Sequence, residues 1–129
     1  MTREFTLGRE ERLKSNLSIQ ELLKHGRTVS LFPLKIYWNF SSDPHQKYPA
    51  RAAMSVPKRK YRRAVDRNLM KRRLKEAYRL NKYMLYDKLD QHQQKIQLII
   101  LLLSDEFIPY KQLEQGMREI FRKLVNKLS

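Results

Sequence analysis

Between Lys58 and Lys82 the chain reads KRKYRRAVDRNLMKRRLKEAYRLNK, and twelve of these 25 residues are Lys or Arg against only Asp66 and Glu76. This one-fifth of the 129 residues carries +10 of the formal net charge of +15. From Val65 onward no Gly or Pro occurs until Pro109, and strong helix formers dominate as far as Tyr78. At about 100° per residue, Met70, Leu74, Ala77, Tyr78, Asn81 and Leu85 share one face. Asn68, Lys71, Arg72, Lys75, Arg79 and Lys82 share an adjoining face, with Arg67 at the border. The stretch therefore reads as a helix that buries one side and holds out a comb of cations. A merely solvated face mixes its signs, and a lipid-binding helix carries bulky apolar residues and Trp on its free face. This stretch does neither, which leaves a polyanion, first of all nucleic acid, as the partner. Arg forks grip phosphate bidentately and Lys adds mobile point charge.

The remaining sequence supplies a body for that helix. The lead-in through residue 14 is charged, with Phe5 and Leu13 as its anchors. Ser18 and Glu21 have the spacing of a capping box, and Leu17 and Leu22 that of a hydrophobic staple. A short helix is expected over residues 19–25, stopped by Gly26. Leu34, Ile36 and Trp38 alternate with Lys35, Tyr37 and Asn39, which predicts a strand over 34–40 with one core face. Tyr37 beside Lys35 on the other face suits stacking on an unpaired base next to a phosphate. A polar turn covers 41–49 and a second strand 50–56, ended by Pro57. The basic helix is expected over 64–85, fading into a polar stretch to Lys95. The run IQLIILLL at 96–103 has the length and composition of a central strand buried on both faces. Leu113, Met117, Ile120, Phe121, Leu124 and Leu128, spaced by three and four, give a last helix one core stripe, with Gly116 as a mild weakness.

The order is α-β-β-α-β-α with room for one more strand near 28–33, so a single α+β domain of helices packed on a sheet is expected. The absence of Cys excludes a disulfide scaffold and a thiolate metal site and accords with a reducing compartment. The N-terminus has no apolar signal core, and no apolar run approaches the length of a membrane span. A cytoplasmic protein with no membrane association is expected.

The segment Ala64-Val65-x-Arg67-Asn68-x-x-Lys71-Arg72-Arg73-Leu74-x-Glu76-Ala77-Tyr78 resembles the signature of the bacterial ribonuclease P protein subunit family. There an Arg-Asn-Arg motif and a Lys-Arg pair open a helix after a Ser-Val-x-Lys-Lys strand end, which here reads Ser55-Val56-Pro57-Lys58-Arg59. The third motif position, usually Arg, is Leu69, and the spacing from Lys58 to Ala64 is about one residue longer than usual. Arg12-Leu13-Lys14 and Lys24-His25-Gly26 match the family's lead-in and helix stop, so the resemblance runs from about Arg12 to Lys123. It implies a four-stranded α/β sandwich, ribosomal-protein-S5-domain-2-like, with a left-handed crossover. It also implies a protein subunit of ribonuclease P that binds the catalytic RNA and the 5′ leader of precursor tRNA. Carried over to this chain, the RNA-binding residues are Lys58, Arg59, Arg67, Asn68, Lys71, Arg72, Arg73 and Lys75. The leader cleft is lined by Ile19, Leu23, Lys35 and Tyr37. Ile19 and Leu23 stand where many relatives carry Phe, and keep the apolar character without the stacking faces.

The chain offers no chemistry of its own: no His-Glu-x-x-His pair, no Gly-rich phosphate loop, no Cys nucleophile and no tight acidic set for two-metal phosphoryl transfer. Asp87 and Asp90 lie three apart on a helix end, where carboxylates are ordinarily solvated. This accords with the resemblance, in which the RNA subunit carries the active site, holds most of the Mg2+ and needs no further protein partner. The alternative is a structural RNA-binding protein of ribosomal type with no processing role.

Overall fold

The computed structural model describes residues 7–128. A single 3-10 turn, Arg9–Glu11, leads to α1 (Asn16–His25), β1 (Arg27–Leu31), β2 (Leu34–Phe40), β3 (Ala50–Ser55), α2 (Ala64–Gln91), β4 (Ile96–Leu102) and α3 (Tyr110–Leu128). The sheet order is β1-β2-β4-β3, with β4 antiparallel to β2 and parallel to β3. The possible extra strand near 28–33 is therefore β1, which meets β2 across the two-residue turn Phe32-Pro33.

Period-two patterning sorts the sheet. Leu34, Ile36 and Trp38 of β2 and Ile96, Leu98, Ile100 and Leu102 of β4 are buried together against α2 and α3. The α3 stripe is buried throughout, and Phe121 meets Tyr78 of α2 edge-on, ring centroids 5.8 Å apart. The opposite face is only partly covered. There α1 seats Leu22 with Leu13 and Ile99, and Ile19, Tyr37 and Ala53 pack around them. β4 is thus buried on one face and covered on the other chiefly at Ile99, while Gln97 and Leu101 stay half-exposed. The uncovered part of that face is the surface available to a ligand.

Two helix boundaries differ from the sequence reading. The cap of α1 is Ser15, whose Oγ accepts the Ser18 amide at 3.3 Å, so the helix starts at Asn16 and no capping box forms at Ser18. Leu17, the supposed staple, stays 79% exposed while Leu22 is buried. A residue three positions before the next donor caps as well from 15 as from 18, and burial of Leu22 is compatible with either start. The second difference is that α2 runs on to Gln91, because Leu85, Tyr86 and Leu89 are buried and tertiary packing holds the turns beyond 85 helical. Phe5 lies outside the described residues; Leu13 is buried as expected.

The two described interior or terminal glycines of the helices behave oppositely. At Gly26 a Cβ would stand 2.4 Å from the Leu22 carbonyl oxygen, so only glycine lets α1 turn straight into β1. At Gly116 a Cβ would meet Leu34 and Pro33 at 3.8 Å, an ordinary contact. Gly116→Ala should therefore raise unfolding stability by about 0.5–1 kcal/mol through the helix entropy it saves. Chemical denaturation checks this, and a lower midpoint for Gly116→Ala would contradict the packing described.

Candidate nucleic-acid interface

The approach to α2 is a turn built to hold cations outward. Pro57 O accepts the amides of Lys60 and Tyr61, both at 3.2 Å. The Tyr61 ring is buried edge-on against Phe107, and its hydroxyl donates to the Glu106 carbonyl. Burial pushes the Tyr61 hydroxyl pKa up, so it stays a donor. Arg67, one turn into α2, donates at 2.9 Å to the carbonyls of both Tyr61 and Arg62 and latches the turn onto the helix. Lys58, Arg59, Lys60, Arg62 and Arg63 are left exposed around this anchor.

On α2 itself the cations divide by their partners. Arg73 lies about 200° round the helix from Lys71, on the side facing α3, and donates at 2.6 Å to the Ile108 carbonyl. It thus stands opposite the Lys71 face, although the resemblance includes both residues in one RNA-binding set. Arg79 pairs with Glu76, whose carboxyl pKa is lowered first of all by that hydrogen bond. Lys71, Arg72 and Lys75, with the five cations of the turn, have no hydrogen bond or ion pair among the described residues. Asn68 is exposed beside them. Leu69 is half-buried about 160° from Lys71, so the cation lost at that motif position is not lost from the Lys71 face.

Lys71 and Lys75 form one side of a groove of about 290 Å³. Leu13, Ile19, Ala52, Ala53 and Met54 supply its apolar wall, and Arg12 and Lys14 its far rim. Ile19 and the two lysines, far apart in sequence, thus share one concavity. Tyr37 lies further across the sheet, separated from Ala53 by Ile99 in the cross-strand register. Its ring carries the Lys35 ammonium 4.8 Å from its centroid, a cation–π contact that keeps the pair together on the open face. Leu23 is 50% exposed on α1 and does not line the groove. The arrangement can neutralise a row of phosphates and offer apolar and aromatic surface to unpaired bases. Among the described residues no three His, Asp or Glu side chains converge in a way that could hold a metal ion. No described helix is long and apolar enough to cross a membrane.

Residues 7–125 match the family model described as Ribonuclease P. The ribonuclease P protein component of Porphyromonas gingivalis is 33% identical over 115 residues, covering 89% of this chain and 83% of its own. The chain belongs to the ribonuclease P protein family. A second member, the ribonuclease P protein component of Finegoldia magna, is 36% identical over 119 residues, covering 90% of this chain and 92% of its own. Among solved structures, the RNase P protein of Thermotoga maritima superposes with a TM-score of 0.69 at 17% identity, covering 88% of this chain and 96% of that one. That of Staphylococcus aureus superposes with a TM-score of 0.61 at 23% identity, covering 97% and 93%. The fold is the ribonuclease P protein fold, and the motif-bearing helix is α2 of that fold.

One part of this family member was not legible as a site. Lys82 falls on the Lys71 face by helical period, yet it is buried: its Nζ meets Glu11 Oε2 at 2.7 Å, both side chains about 97–98% covered. The Tyr86 hydroxyl donates to the same oxygen at 2.5 Å, and the Gly8 amide to Oε1 at 3.0 Å. Rings of Tyr83 and Tyr86 stand 5.4 and 5.6 Å from the ammonium. Lys82 is thus no part of the cationic comb, because residues 8–11 lie over the second half of α2. Periodicity reports which way a side chain points but not which distant segment covers it.

Burial raises the Glu11 carboxyl pKa, but the hydrogen bonds from Lys82, Tyr86 and Gly8 and the charge of Lys82 outweigh it and leave it below the ordinary 4.5. A carboxyl lowered in the folded state stabilises fully above its unfolded value and loses that contribution as pH falls through the folded value. Glu11→Gln, which strands a buried ammonium, should cost about 3–5 kcal/mol at neutral pH. Thermal melts of the two chains should converge as pH falls below about 4. A gap that stays constant down to pH 2 would show that the charge on Glu11 is not what holds Lys82.

Proposed function

We propose that this chain is the protein subunit of a ribonuclease P holoenzyme, that it docks on the catalytic RNA through α2 and the turn before it, and that it holds the 5′ leader of precursor tRNA across the open sheet face. The observation that carries this reading is the set of eight cations, Lys58, Arg59, Lys60, Arg62, Arg63, Lys71, Arg72 and Lys75, with no partner among the described residues beside a groove with an apolar wall. The two cations of the motif that do have partners, Arg67 and Arg73, brace the turn and the α3 connector. Arg67 remains half-exposed and can share its guanidinium with a phosphate while it holds the turn. Asn68 can donate and accept, and fixes one contact in register.

Two polyanions must approach one another for the leader to be cut, and each phosphate met by a Lys or Arg releases a condensed counterion. The protein thereby lowers the repulsion between substrate and catalytic RNA. Tyr37, with Lys35 against it, offers a stacking face for an unpaired leader base and a cation for the phosphate beside it. The Mg2+ ions that activate and stabilise the phosphodiester displacement are held mainly by the RNA. The protein's share in their action is indirect, through the local concentration of RNA phosphates that it permits.

Precursor tRNA cleavage at low Mg2+ tests this with the chain alone, a bacterial ribonuclease P RNA alone, and the two mixed. The expected result is cleavage at the mature 5′ end in the mixture only. Cleavage by the chain alone would place an active site in the protein. Tight RNA binding with no gain in processing would favour a purely structural RNA-binding role.

A further inference from the structure

We infer that Glu11 and Lys82 are positioning residues for RNA binding: their buried ion pair seats residues 8–14 along the sheet edge so that Arg12 and Lys14 stand across the groove from Lys71 and Lys75. This rests on the RNA-binding reading of that groove given above.

The segment has few other holds, and one of them, the Glu10–Lys47 ion pair at 3.4 Å, is solvent-exposed and therefore weak. Arg12 forms an isolated parallel bridge with Ala52, the Leu13 amide donates to the Ala52 carbonyl at 3.0 Å, and Leu13 is buried. Those contacts fix one point on β3. The Glu11 carboxylate fixes a second, on α2, through Lys82 and Tyr86. Two anchors on different elements orient the segment, where one would leave it free to pivot. The groove has cations on both sides only in that orientation: Lys71 and Lys75 on α2, Arg12 and Lys14 on the segment. A buried ion pair is a poor source of net stability compared with an apolar contact of equal volume. What it does supply is a single register, since any other leaves two charges buried without partners. Lys82 lies about 20° from Lys71 by helical period, so it continues the same face as the groove-lining lysines. On this account the chain uses one cation of that face to seat the segment that carries two more.

The test uses the full chain with ribonuclease P RNA as the probe. Affinity is titrated against salt, and exchange of the Leu13 amide reports seating in the free protein. Glu11→Lys sets two ammonium groups against each other and unseats the segment, leaving Lys82 in water rather than stranded. Charge alone predicts tighter RNA binding, since the variant gains two positive charges. Positioning predicts the reverse: a Leu13 amide that exchanges freely, an affinity about ten-fold lower, and a salt slope shallower by about 1.5, the share of two phosphate contacts. The swap of Glu11→Lys with Lys82→Glu should restore protection and slope. An unseated segment with unchanged or tighter RNA binding would overturn the inference. Should Glu11→Lys fail to fold, Arg12→Ala with Lys14→Ala decides: a slope shallower by about 1.5 supports it, an unchanged slope overturns it. A parent chain that does not bind ribonuclease P RNA would instead remove the RNA-binding reading on which the inference stands.

Discussion

Like charges along α2 repel one another, and the packing of its apolar face is what holds them in place. Lys71 and Lys75 are four apart, as are Lys75 and Arg79, a spacing that destabilises an isolated helix when the signs agree. Met70, Leu74, Ala77, Tyr78, Leu85 and Leu89 answer this with full burial against the sheet and α3. Each of the Met and Leu side chains contributes about 1.5–3 kcal/mol on leaving water, against a few tenths for each repulsive pair. The core therefore wins by a wide margin. The helix can therefore keep Lys71, Arg72 and Lys75 side by side although they have no ion pair among the described residues to offset their repulsion.

The cations are not all spent alike. Some are turned inward or sideways and hold the scaffold: Arg67 on two carbonyls of the preceding turn, Arg73 on the α3 connector, Arg79 on Glu76, Lys82 on Glu11. Eight others, Lys58, Arg59, Lys60, Arg62, Arg63, Lys71, Arg72 and Lys75, have no partner among the described residues and lie exposed or half-exposed on the turn and the first half of α2. Solved structures of the family at 17 and 23% identity share the fold, so this scaffold tolerates wide change in sequence while the order of its elements persists.

Much of this was legible along the chain, and the failures share a cause. β2 and the α3 stripe follow from local period, because each buries a face that its own sequence defines, whereas the continuous apolar run of β4 marks a central strand but overstates the cover on its second face. The polar stretch 83–95 concealed the end of α2, since helix there depends on Leu85, Tyr86 and Leu89 meeting residues far away. The cap of α1 was misplaced by one turn because Ser15 and Ser18 are chemically equivalent candidates. Arg73 stands in the RNA-binding set that the resemblance implies, although two residues along a helix is more than half a turn from Lys71. Lys82 and Glu11, 71 positions apart, each read as an ordinary exposed charge. Their pairing is a property of the tertiary fold alone. Gln46 is similar: it lies in a polar turn yet is buried, donating to the Ile96 carbonyl at 3.0 Å and tying the 41–49 loop to β4.

The eight cations of the turn and α2 that have no partner among the described residues are proposed to meet RNA phosphates together. The direct measurement is the affinity of the unmodified chain for ribonuclease P RNA as a function of monovalent salt, at fixed Mg2+. Eight phosphate contacts, or ten with Arg12 and Lys14, correspond to a slope of log affinity against log salt of about −6 to −9. A slope in that range would show the turn and α2 engaged as one surface. A slope shallower than about −2, the share of two or three contacts, would contradict the account and leave most of these cations as solvated surface.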